Sequence, residues 1–492
     1  MILYFIRSGT DWRNGVLVVF SLVFYAWGEP VYIFLMLATV FVNWALTLQI
    51  ERAYRLRGRS RRRTRDGQFQ TGESDAGEAE EEVSMAGALR AKALLICAIA
   101  IDLGLLGVFK YAGFIASTIG GIVHVDIPAP DIALPIGISF YTFQVMSYVI
   151  DVYRRESVAQ RSLLRLLMYV SMFPQLVAGP IVRYEHIAEQ IEYRETEWRE
   201  AGRGVERFLM GLAKKAILAN VCGNIADTLL KSENLGHLSF AGAWLGVCMF
   251  AFQIYFDFSA YSDMAIGMGR IFGFRYKENF NYPYISRSAT EFWRRWHISL
   301  STFFRDYVYI PLGGNRSSAW RNLFVVWALT GLWHGASWNF VLWGLYWFAF
   351  IAVERKWLRH RFERWHPLAP NAYCILVFLV GWVFFYFTDI RDAALCLSRM
   401  FGFGFFVGES FTDTATALLF QNNAFLFIAS ILACLPVGRA VARLYRIGEY
   451  SLVGVPRTAL FAARCVWLAA LLYVSTIMLV GNSYNPFIYF RF

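Results

Sequence analysis

Apolar residues fall along this chain in long blocks. Val31 to Ile50 carries no charge over twenty positions, and Ala459 to Val480 carries only Arg464. Runs of that length are what an α-helix needs to cross the hydrocarbon core of a bilayer. Further blocks run from Ala91 to Val123 (broken near Lys110), Ile132 to Val149, Phe208 to Leu230, Leu238 to Phe272, Tyr373 to Phe387 and Ala424 to Val437. Val16 to Trp27 is apolar but short, and Gly28-Glu29-Pro30 turns the chain back. Leu163 to Val182 is interrupted by Pro174, Gly179 and Pro180, the pattern of a broken or re-entrant helix buried in protein. Leu323 to Ala336 and Trp338 to Val353 predict a hairpin with Gly335 to Asn339 at its tip. Together the blocks predict an all-α polytopic membrane protein with about ten to twelve membrane segments.

The polar stretches divide these blocks. Glu51 to Arg65 is dense in arginine, and Asp66 to Glu82 is polar and acidic without apolar periodicity. Residues 51–90 are therefore expected to form a disordered cytoplasmic loop between N-terminal transmembrane segments (1–50) and a transmembrane core (91–492). Arg183 to Arg207 is polar and amphipathic, as expected of a segment at the cytoplasmic surface. Composition agrees: 57% of the 492 residues are hydrophobic and only 17% charged. The net charge, 47 − 36 = +11, reports cytoplasmic loops and lipid headgroups in such a chain, not nucleic acid. Seven cysteines are scattered without a Cys-x-x-Cys pair, so neither a zinc site nor a disulfide framework is signalled and no metal is expected.

The candidate chemistry lies in residues 276–354. His334 sits in Leu329-Thr330-Gly331-Leu332-Trp333-His334-Gly335, inside an apolar region where an ionisable group is costly and by default functional. A neutral imidazole there can take a proton from a hydroxyl nucleophile; the plainer alternative is a packed histidine bonded to a carbonyl. His297 ends the run Glu291-Phe292-Trp293-Arg294-Arg295-Trp296-His297. If that run is one helix, Arg294 and His297 lie near one face. Arg294 and Arg295 then suit the phosphates of an anionic donor, or equally lipid headgroups. Trp296 and Trp333 are counted with them as donor-binding residues. Asp257 and Asp263, beside Ser259, Tyr261 and Ser262, read as a satisfied polar network more readily than as cation ligands.

These segments together resemble the membrane-bound O-acyltransferase superfamily, in the bacterial branch that holds the alginate O-acetyltransferase membrane subunits and the D-alanyl transfer proteins of teichoic acid. The resemblance rests on Leu134 to Gln144, Phe173 to Pro180, Tyr255 to Asp263, Asn279 to Pro283 running into Glu291 to Ser301, Gly331 to Trp338, and Pro486 to Phe492. It implies a ring of transmembrane helices with re-entrant segments around a central catalytic passage. It makes His334 the catalytic histidine and His297 the second motif histidine. The implied reaction moves an acyl group, expected to be acetyl, from a cytoplasmic thioester (acetyl-CoA or an acyl carrier) to an extracytoplasmic hydroxyl. No bound cofactor is implied. The implied partners are membrane lipids, an extracytoplasmic acetyltransferase and an exopolysaccharide such as alginate as final acceptor, with no nucleic acid; the implied place is the bacterial inner membrane. D-alanyl transfer and a non-enzymatic transporter or flippase are the competing functions. The absence of a visible internal repeat argues against a transporter. The chain departs from the family pattern at Ala260, where glycine is usual, at Trp347, where histidine is frequent, and in the arginine-rich insertion.

Overall fold

The apolar blocks fold as helices. The computed structural model describes residues 1–54, 85–128, 130, 132–177, 179–358, 360–362, 364–403, 410–438, 440, 457–481 and 486–487, and these contain no β-strand. Most of the expected loop at 51–90, namely residues 55–84, lies outside the described residues, as do residues 488–492 of the C-terminal motif.

One unit comprises Met1–Ala112, Pro130–Leu176 and Arg183–Tyr193. Its helices α1 (Thr10–Gly28), α2 (Ile33–Ala53) and α3 (Met85–Leu106) are followed by a π-helical turn at Gly107–Tyr111, where the sequence predicts a break near Lys110. The turn leads into α4 (Ala112–Val123), which past Ala112 belongs to the other unit. Helix α1 extends beyond its apolar block because Arg13 and Asn14 are buried, Asn14 donating to the Ile191 carbonyl at 3.0 Å. Helices α2 and α3 are joined inside the apolar layer by Asn43, which donates to Asp102 Oδ1 at 2.8 Å. Helix α5 (Ile138–Arg154) starts from Gly137, whose φ of +77° is one that residues with a side chain rarely adopt. Helix α6 (Leu163–Ser171) is capped by the Ser162 hydroxyl and stops before Pro174, as the interruption predicts. Helix α7 (Tyr184–Glu192) completes the unit: Gln160 Nε2 donates to the Tyr184 hydroxyl (2.8 Å) and to Glu192 (2.9 Å).

The other unit comprises Gly113–Ala129, Val177–Val182 and Arg194–Phe492. Here α8 (Trp198–Ala213), a π-helical turn at Lys214–Ala219 and α9 (Asn220–Leu230) form one 33-residue helical run. Arg183 to Arg207 is thus not one surface segment: its second half forms the first turns of a span, because a buried stripe of Ala201 and Gly204 continues into Gly211. Helix α10 (Phe240–Ile271) packs antiparallel against α8. Gly204 lies against Gly267 and Gly211 against Ala260, so close that an added Cβ would overlap backbone oxygen at each glycine; small residues permit such approach between membrane helices. Ion pairs lock the crossing: Lys215 with Asp257 at 2.6 Å, and Lys214 and Arg207 with Asp263 at 2.7 Å each. The aspartates are therefore structural partners of α8 and the turn after it.

Downstream come α11 (Ala289–Arg295), α12 (Ile298–Phe304), the hairpin α13 (Ala319–His334) and α14 (Trp338–Val353), α15 (Ala369–Tyr386), α16 (Ile390–Met400), α17 (Thr414–Asn422), α18 (Ala424–Cys434) and α19 (Arg457–Gly481). Among the described residues six helical runs are long and apolar enough to cross a membrane alone, or seven if α17 and α18, bent by 62°, form one broken span. The hairpin arms have 16 residues each. At 1.5 Å per residue that is about 24 Å, short of a hydrocarbon core of about 30 Å.

Candidate active site

His334 is the last residue of α13 and only 5% exposed. It is held there by the hairpin crossing. A Cβ on Gly331 would overlap the Phe340 carbonyl, and one on Gly344 the Trp327 carbonyl. Only glycine at both positions lets the arms approach this closely. Asn339 Nδ2 then ties the start of α14 to the Phe387 carbonyl just past α15, at 2.5 Å. Aromatic rings close around the imidazole: Trp333 and Trp343 at centroid distances of 4.8 Å, Phe385 at 5.2 Å. A small cavity opens beside it, lined by Ile254, Phe258, Trp296, His334, Trp343, Trp382 and Phe385. It has room for about one water-sized group. Ile254 and Phe258 are one turn apart on α10, so the α8–α10 locks also fix this wall.

The second histidine is built differently. The run from Glu291 to His297 is not one helix: α11 ends at Arg295, Trp296 is extended, and His297 takes a left-handed φ of +42° before α12 starts. The proximity of Arg294 and His297 on one helical face therefore does not hold. The break is enforced by hydrogen bonds. Asn281 N–H donates to the Arg295 carbonyl and Ile298 N–H to the Asn279 carbonyl, both at 2.9 Å. Asn279 Oδ1 accepts from Ser299 N–H (3.0 Å) and from the Ser299 hydroxyl (2.9 Å). A backbone N–H aimed at this atom identifies it as the amide oxygen, so His297 Nδ1, 3.3 Å away, carries the proton and donates. Nε2 is then the basic nitrogen. His297 is 1% exposed, and burial pushes its pKa down to about 3, so it is neutral at physiological pH. Ring centroids place His297 4.6 Å from Phe258 and 5.8 Å from Trp333. Trp333 thus touches both histidines.

The other expected site residues separate. Arg295 is committed to Glu291 (2.8 Å) and to the Asn281 carbonyl (3.1 Å), whereas Arg294 is exposed. Trp296 is buried in the cavity wall. Helix α11 starts on the buried Glu354 carboxylate, which accepts from Ala289 N–H (2.5 Å), Thr290 N–H (3.1 Å) and the Thr290 hydroxyl (3.0 Å); a carboxylate suits the positive end of a helix. Among the described residues no three His, Cys, Asp or Glu side chains converge as metal ligands.

Residues 148–396 match the sequence profile of MBOAT, the membrane-bound O-acyltransferase family. The chain is also similar along its whole length to a probable alginate O-acetylase AlgI of Pseudomonas putida, 35% identical and covering 96% of that protein. The chain belongs to the membrane-bound O-acyltransferase family. A peptidoglycan O-acetyltransferase of Helicobacter pylori is 34% identical over 63% of this chain and 64% of its own length. A teichoic acid D-alanyltransferase of Bacillus subtilis is 28% identical over 56% of this chain and 69% of its own length.

This membrane-bound O-acyltransferase is thus an enzyme, a multi-pass protein of the bacterial inner membrane. Its Trp347 is fully buried and stacks on Phe292 at 5.4 Å with the rings 5° from parallel; it packs the helix that leads to His297. Sequence reasoning singled out neither Glu354 nor Trp343. Asn279 and Ser299 stand inside the family motifs, where nothing in their spacing shows that they hold His297. The available signal for Asn279 was an amide opening a polar-aromatic run in an otherwise apolar chain.

Proposed function

We propose that the enzyme transfers acetyl from a cytoplasmic thioester, acetyl-CoA or an acyl carrier, to a hydroxyl on the extracytoplasmic side, for O-acetylation of an exopolysaccharide of the alginate type. An extracytoplasmic acetyltransferase takes part as partner. The observation that carries this reading is the buried His334 lining a small cavity whose other walls are aromatic or aliphatic side chains. The cavity walls are aromatic or aliphatic and none is acidic. That favours a neutral acetyl over D-alanyl, whose ammonium would lose its hydration without a counter-charge.

In the proposed reaction His334 accepts the hydroxyl proton as the oxygen attacks the thioester carbonyl carbon. A C–O bond forms and the carbonyl electron pair moves onto oxygen. On collapse the C=O bond re-forms, the C–S bond breaks, and the imidazolium returns the proton to sulfur. Ester and thiol are the products. Trp333, Trp296 and His297 line the way to the donor, and the exposed Arg294 meets its phosphates; Arg295 supports the turn through Glu291.

His334→Ala is expected to abolish acetyl transfer while the protein still inserts. Mass analysis of the secreted polymer from cells carrying either form, with immunoblots of the membrane fraction, provides the check. Acetylated polymer from a well-expressed variant would refute the assignment.

A further inference from the structure

An attacking base does not complete an acyl transfer. The tetrahedral species carries a full negative charge on the former carbonyl oxygen, and in a dry, low-dielectric site that charge needs a positioned donor. The residues around the cavity restrict what that donor can be. Ile254, Phe258 and Phe385 have no polar side-chain atom. His334 is occupied with the hydroxyl proton in the proposed reaction. The remaining walls are Trp296, Trp343 and Trp382, and an indole offers one N–H and no acceptor.

Among these, Trp343 differs. It is fully buried on α14, its ring is edge-on to His334 at 4.8 Å and 79°, and its Nε1–H has no hydrogen-bond acceptor among the described residues. The Trp382 Nε1–H is likewise buried without an acceptor among the described residues, but Trp382 packs on Trp296 at 4.9 Å and Phe385 at 5.5 Å, whereas Trp343 meets His334 itself. A buried donor without an acceptor destabilises the fold, and such groups call for an explanation. Packing alone does not require the nitrogen, because phenylalanine would fill most of the same space without the cost.

We infer that the Trp343 indole N–H is the donor that stabilises the oxyanion formed when the acceptor hydroxyl attacks the thioester. The inference rests on the proposed role of His334. Trp343 and His334 then serve the same carbon: the imidazole removes the proton from the nucleophile, and the indole receives the charge that appears on the carbonyl oxygen. The donor is already in place and already dehydrated, so no reorganisation is needed as charge develops. Both side chains come from one hairpin, and the Gly331–Gly344 crossing fixes them together.

The test uses the full-length chain in proteoliposomes, with acetyl-CoA as donor and a soluble oligosaccharide as acceptor. Trp343→Phe removes the N–H. A second form, with β-(3-benzothienyl)alanine at position 343, replaces N–H by sulfur and keeps the bicyclic shape, so that loss of packing and loss of the donor can be told apart. Loss of one oxyanion donor lowers kcat by about 10²–10³-fold, and that fall is expected in both forms. KM for the donor, and binding of a thioether analogue whose carbonyl is reduced to methylene, should stay as in the parent. A benzothienyl form that turns over at the parental rate overturns the inference, as does an equal loss in kcat and in analogue binding. His334→Ala, run in parallel, addresses the underlying reading separately: persistent transfer in that variant defeats the base, whatever position 343 does.

Discussion

At the scale of single residues, aromatic rings close around His334, whereas His297 is oriented by the Asn279 side chain, 18 residues away. That contact makes a prediction. Asn279→Ala removes the acceptor that orients the ring, and groups that orient a site histidine typically matter 10–100-fold in the better-studied metal sites. A fall in turnover of about that size, with intact insertion, is expected in the proteoliposome assay; unchanged turnover would make Asn279 a turn-former only. His297 also carries a pH effect. Below about pH 6.5 the unfolded chain takes up a proton that the folded chain excludes down to about pH 3. Stability from this group is complete above about 6.5 and declines as pH falls towards 3, by at most about 1.4 kcal/mol per pH unit. His297→Gln should therefore lose less thermal stability than the parent between pH 7.5 and pH 5. Melting in detergent at the two values measures this, and equal losses would contradict the burial argument.

At the scale of elements, the hairpin was legible because its arms are contiguous apolar runs joined by Gly335 to Asn339. Its crossing point was not, because it depends on which glycines face each other. Helix propensity alone favours Gly331→Ala by about 1 kcal/mol. The overlap with the Phe340 carbonyl acts against it, and overpacking costs about 1–3 kcal/mol. Net destabilisation is expected, together with a larger loss of activity, because His334 is less than a turn away. A variant more stable than the parent with normal turnover would show that the arms can separate harmlessly. In the other unit, Asn43→Ala would leave Asp102 buried without its donor, at about 1–3 kcal/mol. Thermal melting checks that value.

At the scale of the whole molecule, Arg321 and Arg355 flank the hairpin at the end away from His334: Arg321 reaches the Leu312 carbonyl at 3.4 Å and Arg355 contacts Asn315. Basic flanks favour the cytoplasm, so the tip at Ser337 is expected to face outward and the exposed Arg294 inward. Cysteines at positions 294 and 337, after replacing the exposed Cys97 and Cys465 by serine, test this with a membrane-impermeant thiol reagent. Labelling of both from one side would exclude a two-sided site. The sequence by itself determined the membrane class, the helical blocks, the family and both histidines, because apolar length and short motifs are properties of neighbouring residues. The tertiary structure alone decided that Arg295 is committed while Arg294 is exposed, that His297 ends a turn instead of continuing a helix, and that α11 rests on Glu354, 65 residues on. It also decided which side chains, from Ile254 to Phe385, line the cavity at His334. The reason is physical: hydropathy sums along the chain, whereas a hydrogen-bond partner or a cavity wall exists only once distant segments have packed.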